Sequence, residues 1–366
     1  MNLIKFKNFR LLLNSLAFIL LTFIIFLLRL SSGNSIIPLK QIIYIFIGIF
    51  NDKNLNLMID PTILIVIKSI RIPSFISAFI IGAVLSVCGL VMQIILKNPL
   101  AEPYTLGISS GASFGCSLAI FLSSFFSSSL NFVNDSPILA KNTSIILLKA
   151  TPLFSIFFGI LAAILIFLIA IKTKAYSSSS LIISGIIVNS FFTAAITILF
   201  YLLGQKVNLA LSWMMGLIPL ADKSWIPLSI IEFLLIIIYF SFHKEFDLIS
   251  ISGSSETIVG LNTAKFKQIF FLVSAIGVSL IVAQSGIIPF IGIIVPYILK
   301  LNPENHFKEN LIYSIFFGGN FLVIIDILTY LIPSIFNSSI QLPIGAVSGF
   351  LGAPFFLFLL LKKRFN

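Results

Sequence analysis

Gly107, Ser109 and Gly111 have the spacing of a nucleophile elbow, in which a serine on a sharp turn attacks an acyl group. Such a serine needs a preceding strand and a histidine base. Here the triplet opens a long apolar run, and the chain's 2 histidines, His243 and His306, fall in polar stretches far from it in sequence. The sequence therefore predicts no catalytic residue. An intramembrane enzyme, which would need a paired nucleophile and base within the bilayer, is kept as an alternative.

Glycines in the same stretch indicate a packing surface. Gly107, Gly111 and Gly115 recur at a spacing of four, which leaves bare backbone on one face of a helix. A neighbouring membrane helix can approach closely at such a face. Helix packing is therefore the expected role of these three glycines.

Two acidic residues, Glu232 and Asp326, stand inside apolar runs. A carboxylate within a membrane is costly and is a functional candidate by default. A proton relay normally needs several such groups around one cavity, and these two belong to different predicted helices. An ion-coupled secondary transporter is thus the less supported alternative, and Asp326 is expected to cap a helix or to bond between helices.

The sequence contains no phosphate-binding loop of the form G-x-x-x-x-G-K-[ST] and no cysteine and histidine spacing typical of a metal site. An ATP-driven process would therefore need an ATPase on another polypeptide, which would bind the ATP and Mg²⁺. No cofactor and no metal is expected in this chain. Cys88 and Cys116 lie in apolar runs and are expected to be buried free thiols.

Composition places all of these residues in a membrane. The 366 residues are 58% hydrophobic and only 10% charged, whereas a soluble domain carries about 25% charged residues. The net charge of +11 comes from lysines and arginines scattered at the ends of apolar runs, which membrane topology explains without nucleic acid. We expect one all-α polytopic domain, residues 1–366, in contact with membrane lipid.

Apolar runs of about 20 residues, the length that crosses a bilayer, recur along the chain. The first is longer than the apolar part of a signal peptide, about 7–15 residues, so it is expected to be retained. The eighth carries Pro289 and Pro296 and should be kinked or broken. Short surface helices are expected between the first two spans, and loops near 123–136 and 176–180. The predicted spans are 11–30, 72–96, 105–126, 152–171, 181–203, 226–242, 266–283, 286–300, 310–332 and 342–361.

An even number of spans puts both termini on one side, and lysine and arginine are more numerous there. This excess favours cytoplasmic N- and C-termini in the inner membrane. Residues 98–104, where two prolines prevent a continuous helix, would then be cytoplasmic. So would the longest inner loop, about 243–265, with a short helix near Gly253, Glu256 and Gly260. That loop is either a contact for a soluble partner or an ordinary solvated loop.

A series of motifs from about Arg71 to the C-terminus resembles the permease subunits of binding-protein-dependent ABC importers for cobalamin, iron-siderophores and haem. One such motif would be weak, but the set occurs in order and at appropriate spacing. The motifs are Arg71-x-Pro73, Asn98-Pro99-Leu100-Ala101-Glu102-Pro103, Leu106-Gly107-x-Ser109-x-Gly111-Ala112, Gly185-Ile186-x-Val188-Asn189, Trp213-Met214-Met215-Gly216, Gly286-x-Ile288-x-Phe290-Ile291-Gly292-x-x-x-Pro296, Asp326, Leu342-Pro343-Ile344-Gly345 and Gly352-Ala353-Pro354.

The resemblance implies a type II ABC importer permease of about ten transmembrane helices that works as a homodimer, with the substrate path on the two-fold axis. A heterodimer with a related permease stays open, as does the choice among the three chelates. Two copies of a cytoplasmic ATPase would bind the inner face, and a substrate-binding protein would dock on the outer face.

The resemblance also assigns roles to residues. Asn98 and Leu100 match one cytoplasmic gate of the family, and Ser178 and Ser179 match the other. Arg71 matches a periplasmic arginine that meets an acidic residue of the binding protein.

The inner loop matches the family's coupling helix, which contacts the ATPase. The matching residues are Val259, Gly260 and Leu261, with Gly253 and Glu256 in the same loop.

Three departures from the family pattern bear on these roles. Family members often carry further arginines where this chain has Ser74 and Tyr330, so docking is expected to depend on Arg71 and other contacts. The usual Pro-His of the eighth span is Pro296-Tyr297, and the usual Gly-Glu that opens the coupling helix is Ser252-Gly253.

Overall fold

The computed structural model describes residues 2–50, 60–133, 146–172, 178–204, 207–219, 226–251, 257–258, 261–299, 306–338 and 340–363. Nearly all of these residues are helical. The helices are α1 (Asn2–Ser31), α2 (Leu39–Phe50), α3 (Pro61–Val66), α4 (Ile72–Ile95), α5 (Ile108–Val133), α6 (Thr151–Lys172), α7 (Ser178–Leu203), α8 (Val207–Met214), α9 (Ile226–Ser241), α10 (His243–Ile251), α11 (Thr263–Ser285), α12 (Ile291–Leu299), α13 (Phe307–Ile335) and α14 (Ile344–Lys363).

Within the described ranges, six helices are long and apolar enough to cross a membrane, or seven if the α9–α10 pair, bent by 59°, counts as one span. Shorter apolar helices at Leu16–Ser31 and Ile344–Phe358 correspond to the first and last predicted spans. The predicted all-α polytopic fold is confirmed.

The eighth predicted span is broken, as Pro289 and Pro296 indicated. Residues 286–289 are not helical, and α12 is a helix of only 9 residues. Pro296 lies inside α12. Because proline has no N–H, it leaves the carbonyl four residues earlier, that of Gly292, without its helical donor.

The second predicted span begins too late at residue 72. An apolar helix runs for 35 residues from Pro61 to Ile95, and the wider turn Ile67–Arg71 joins α3 to α4. Pro73 lies just after this turn. A single π-turn is a common way for a helix to accommodate an interruption of its hydrogen-bond ladder, so Pro73 does not end the helix. The short helix α2 agrees with the surface helices expected before this span.

Two loop predictions are also wrong in part. The serine-rich stretch predicted as a loop near 123–136 is helical as far as Val133, where α5 ends. Serine costs a helix only a few tenths of a kcal/mol, about 0.5, so apolar neighbours outweigh it. The loop predicted at 176–180 gives way to α7 at Ser178.

The short helix predicted near residues 253–260 is wrong for the residues that the structure describes. Thr257–Ile258 (β1) and Leu261–Asn262 (β2) form an antiparallel hairpin. β-branched Thr257 and Ile258 favour an extended strand. The helix of this loop is α10, which lies upstream of the predicted position.

Helix α4 occupies the centre of the bundle. Every residue from Ile81 to Ile95 is buried, as expected for a helix that is apolar on all sides. A Cβ atom added at Gly82 would lie 2.3 Å from the Gly318 carbonyl oxygen of α13, and one at Gly89 would lie 2.0 Å from the Gly292 carbonyl oxygen of α12. Both positions therefore require glycine for close packing. Cys88 and Cys116 are buried free thiols, as predicted.

The three glycines of the predicted packing face lie in two different settings. Added Cβ atoms at Gly111 and Gly115 would lie 2.7 Å from the Phe158 oxygen and 2.3 Å from the Phe154 oxygen, both on α6. Gly107 instead precedes α5 with φ +82°, a conformation that favours glycine. Its added Cβ would lie 2.8 Å from the Gly185 carbonyl oxygen of α7, so Gly107 does not share the helix face of the other two.

Candidate functional site

The turn between α4 and α5 (residues 96–107), here called the α4–α5 turn, contains the first pair of predicted gate residues. The Asn98 side-chain oxygen accepts the Leu100 N–H at 2.8 Å, and the Asn98 N–H donates to the Gln93 carbonyl at 3.2 Å. Lys97 has φ +47°. Asn98 therefore shapes the turn, whereas Leu100 is 42% exposed and projects from it.

Glu102 lies in the same turn but points into the protein, where it is only 3% exposed. Its carboxyl group accepts a hydrogen bond from the Phe290 N–H. Burial raises the pKa of the Glu102 carboxyl to about 8, and the Phe290 hydrogen bond opposes that rise. A buried carboxyl group thus joins the α4–α5 turn to the start of α12.

The broken region before α12 is bound from its other side by α4. The Gln93 side-chain amide donates to the carbonyl oxygens of Gly292 at 3.3 Å and Ile293 at 3.4 Å. The first of these carbonyls is the one that Pro296 leaves without a helical donor. Non-helical backbone at membrane depth is tolerated only where other groups bond to it, and Gln93 supplies that bond.

The second pair of predicted gate residues, Ser178 and Ser179, forms the first residues of α7, and their side chains lie outside the described part of the structure. Further along α7, Gly185 packs against the end of the α4–α5 turn. A Cβ added at Gly185 would lie 2.9 Å from the Leu106 carbonyl oxygen. The first turns of α7 and the α4–α5 turn therefore belong to one region of the molecule.

The predicted coupling residues lie mostly outside the described residues. Gly253, Glu256, Val259 and Gly260 lie outside the described residues. Leu261 is described only as part of β2. Upstream of them, Asp247 of α10 accepts the Phe307 N–H at 2.6 Å through one carboxylate oxygen. Its other oxygen lies 3.6 Å from the His306 Nδ1 atom. Asp247 thus acts as a cap for α13 supplied by the helix that precedes the coupling loop.

A buried ion pair lies near the end of α1. The Arg29 Nε atom donates to the Asp326 Oδ2 atom at 2.5 Å, and the two side chains are 2% and 0% exposed. The Arg29 Nη2 atom donates to the Ser74 hydroxyl at 2.8 Å, and the guanidinium carbon lies 4.9 Å from the centre of the Tyr330 ring. We call Arg29, Ser74, Asp326 and Tyr330 the Arg29 cluster. The expectation that Asp326 bonds between helices is confirmed.

Arg71, the predicted docking residue, is turned inward. It is 3% exposed in this single chain and donates to the backbone carbonyls of Leu30 and Ser35. Ser74 and Tyr330, where the family pattern would have arginines, both contact Arg29. Arg29 of α1 therefore places its guanidinium group between Ser74 and Tyr330.

The remaining chemically suggestive residues are Glu232, Ser109 and the two histidines. Glu232 is buried and accepts a hydrogen bond from the Gln284 amide at 2.7 Å. Ser109 is 4% exposed within the first turn of α5. The His243 ring pairs with the Phe240 carbonyl at 2.9 Å, and His306 pairs with Asp247.

Sequence reasoning missed three residues of this region: Arg29, Gln93 and Asp247. Arg29 lies at the end of a predicted span, where a charged residue is ordinary, although a lone intramembrane aspartate calls for a cationic partner. Gln93 is a polar residue inside an apolar run and could have been connected to the carbonyl that Pro296 frees. Asp247 carried no signal, because its partner is a backbone group of another helix.

A bundle of apolar helices with a broken helix beside a polar turn defines the chain as a multi-pass membrane transport permease. The chain belongs to the FecCD transport family, which matches residues 20–362. It is 28% identical over 302 residues, 82% of this chain and 83% of the relative, to a Helicobacter pylori protein described as a "probable iron chelatin transport system permease protein". It is also 28% identical over 310 residues, 81% of this chain and 83% of the relative, to the hemin transport system permease protein of Yersinia pestis.

A solved structure has the same fold. The structure described as "an inward-facing conformation of a putative metal-chelate type ABC transporter" superposes with a TM-score of 0.73 at 22% identity, over 95% of this chain and 98% of that chain.

Proposed function

We propose that this chain is the transmembrane permease subunit of a binding-protein-dependent ABC importer that carries a metal chelate across the cytoplasmic membrane. The observation that carries this proposal is the family match over residues 20–362. The chelate is an iron-siderophore, haem or cobalamin, and the iron chelatin and hemin relatives support the first two. Any metal travels as cargo inside its chelator.

The permease works as a homodimer with two ATPase subunits on the cytoplasmic face and a substrate-binding protein on the other face. ATP and Mg²⁺ bind the ATPase, in keeping with the absence of a phosphate-binding loop from this sequence. Both termini are cytoplasmic, so the α4–α5 turn and the loop after α10 face the ATPase.

Transport proceeds by alternating access. Closure of the ATPase dimer on ATP shifts the coupling loop, and the helix ends at Asn98 and Ser178 move with it and switch the gates. Nucleotide can drive this change only if it binds the two conformations with different affinities. The 42% exposure of Leu100 supports its role as an apolar gate residue that meets its counterpart across the two-fold axis.

Docking of the binding protein uses Arg71 after a rearrangement. The Arg71 guanidinium must leave the carbonyls of Leu30 and Ser35 to reach an acidic side chain of a partner. The test is Arg71→Glu with binding measured at several salt concentrations. We expect weaker binding and a reduced salt dependence, because an exposed charge pair is screened by ions. Unchanged affinity would remove Arg71 from the docking site.

Uptake into vesicles tests the whole proposal. The chain is reconstituted into vesicles with its ATPase and its binding protein, and ATP is supplied on the side of the ATPase. Accumulation of a radioiron-loaded siderophore, of haemin and of cobalamin is then measured separately. A catalytically dead ATPase should abolish uptake of the transported chelate. Uptake that continues with the dead ATPase and follows an ion gradient would replace this proposal with ion-coupled transport.

A further inference from the structure

The backbone groups around the break before α12 are bound by one short stretch of chain. Phe290, the residue before α12, has φ +72°, a conformation that a bulky residue rarely adopts. Its N–H donates to the Glu102 carboxyl group. On the other side of the break, Gln93 donates to the Gly292 carbonyl freed by Pro296. Both partners lie within residues 93–102, which lead into and form the α4–α5 turn.

Packing leaves no room for these two segments to slide past each other. A Cβ added at Gly89 would lie 2.0 Å from the Gly292 carbonyl oxygen, so α4 and α12 touch through their backbones. A Cβ added at Gly292 would lie 3.2 Å from the Leu85 carbonyl oxygen of α4 and 3.5 Å from both the Cβ and the Oε2 atom of Glu102. The first turn of α12 therefore packs closely against both α4 and the Glu102 side chain.

Left-handed conformations in bulky residues persist only where the surroundings hold them, and they cluster at moving or functional sites. The Phe290 carbonyl accepts the Ile293 and Ile294 N–H groups of α12 at 3.1 and 2.9 Å, whereas the Phe290 N–H is bonded by the α4–α5 turn. If the hydrogen bond to Glu102 broke, the buried Phe290 N–H would be left without an acceptor, which is energetically costly. The conformation at the start of α12 therefore depends in part on a bond from the α4–α5 turn.

We propose that Glu102 is a positioning residue that joins the α4–α5 turn to the broken helix α12, so that the two move as one body when the gate switches. This inference rests on the proposed transport function. Glu102 would act through the gate residues Asn98 and Leu100 and would not contact the transported chelate. Motion of α12 would then reach the gate directly through the Phe290–Glu102 bond.

Substitutions at Glu102 separate this role from simple packing. Glu102→Ala removes the acceptor and should lower chelate uptake per ATP hydrolysed about tenfold, the factor that corresponds to one lost buried hydrogen bond. Glu102→Gln keeps a side-chain oxygen for the Phe290 N–H and should restore coupled uptake. A purely structural role would lower the amount of folded protein and leave the ratio of uptake to ATP hydrolysis unchanged.

A reversible cross-link tests whether the two segments move together. The 3.5 Å between Glu102 Cβ and an added Gly292 Cβ lies within the range of disulfide bonds, about 3.5–4.5 Å. The double variant Glu102→Cys/Gly292→Cys should be poorly coupled when reduced, because it lacks the carboxyl group. Oxidation should restore coupled uptake by replacing the hydrogen bond with a covalent link. Single Gly292→Cys and the oxidised parent chain, whose Cys88 and Cys116 are buried, are the controls.

Two results would overturn the inference: arrest of uptake on oxidation, which would mean that the segments must separate, or full coupling in Glu102→Ala. Both results are compared with those of the parent complex carrying an active or a catalytically dead ATPase. The substrate in every assay is the siderophore, haemin or cobalamin that the parent accumulates. If the parent shows no ATP-dependent uptake, the transport function itself fails, whatever the Glu102 variants do.

Discussion

Arg29 and Asp326 bind each other through a buried ion pair near the end of α1, whereas the α4–α5 turn is held by side-chain bonds to backbone groups of α12. The first contact joins two full charges that are 2% and 0% exposed. The second consists of the Glu102 and Gln93 contacts to Phe290, Gly292 and Ile293. An ion pair buried in this way is costly to separate, whereas single hydrogen bonds, about 1 kcal/mol each, can be broken and remade. The Arg29 cluster is thus suited to hold helices together, whereas the α4–α5 turn and α12 are joined by bonds that are individually weaker than an ion pair.

The largest effect is expected when the ion pair loses one partner. Asp326→Ala leaves the Arg29 guanidinium buried without a counter-charge, and we expect a loss of about 3–5 kcal/mol in the free energy of unfolding. Thermal unfolding of the purified chain in detergent measures this loss. Arg29→Met combined with Asp326→Leu removes both charges and should recover most of the stability.

Asp60 provides the matched control for this measurement. It is an exposed acid that caps α3 through the Thr62 N–H. Asp60→Ala should lower the free energy of unfolding only by the cost of a lost helix cap, about 0.5–2 kcal/mol, which is less than the loss expected for Asp326→Ala. A single Asp326→Ala variant as stable as the double variant would show that the ion pair does not hold the helices together.

The second largest loss of stability is expected at the backbone contact between α4 and α12. Gly89→Ala adds a Cβ that would lie 2.0 Å from the Gly292 carbonyl oxygen, so α4 and α12 must separate, at a cost of about 1–3 kcal/mol. Gly349→Ala in α14 is the control, because its Cβ would meet only the Pro289 side chain at an ordinary 3.7 Å. Equal unfolding midpoints for the two variants would contradict the tight contact between α4 and α12.

Hydropathy and proline positions predict most of the helices. A membrane-spanning helix satisfies its own backbone groups, so its sequence is a long apolar run. The break at Pro289 and Pro296 was predicted for the same local reason. The wide turn before Pro73 was missed, because the sequence shows that the helical ladder is interrupted there but not that the helix continues.

Contacts between distant segments could not be read in this way. Arg29 and Asp326 are 297 positions apart. The sequence around either residue does not identify the other as its partner. In the sequence Glu102 is notable only as part of a family motif, since its partner is the backbone N–H of Phe290, just before another helix. The gate residues Asn98 and Leu100 came from the resemblance, whereas the bond that shapes their turn came from the structure.

A third effect concerns pH and is expected at the α4–α5 turn. The pKa of Glu102 in the folded chain, about 8, lies above its ordinary value of 4.5, so the folded chain binds this proton more tightly than the unfolded chain. The resulting stability is complete below about pH 4.5 and is lost as the pH rises to about 8. The loss is at most about 1.4 kcal/mol for each pH unit, and partial solvation of the site would reduce it.

Unfolding midpoints of the parent chain and Glu102→Gln between about pH 6 and 8 test this sign, since the glutamine variant should lack the decline. Tyr104, the titratable neighbour that Glu102 influences, has its pKa raised by its own burial and by the Glu102 charge, so it stays protonated in this range. Parallel curves for the two proteins would show that the Glu102 carboxyl does not titrate there.

The smallest effect is expected at Asp247, which bonds to a backbone N–H as Glu102 does but at a more exposed site. The helix α13 begins after His306, whose side chain makes no capping bond, and Asp247 accepts the Phe307 N–H in its place. Asp247→Ala should therefore cost about 0.5–2 kcal/mol, the range of a lost helix cap. His306→Ala keeps the cap and removes only a pair in which His306 is 61% exposed, which is worth little. If the histidine variant loses more stability than the aspartate variant, the ion pair and not the cap joins α10 to α13, and the contrast between charged and backbone contacts in the two regions would not hold.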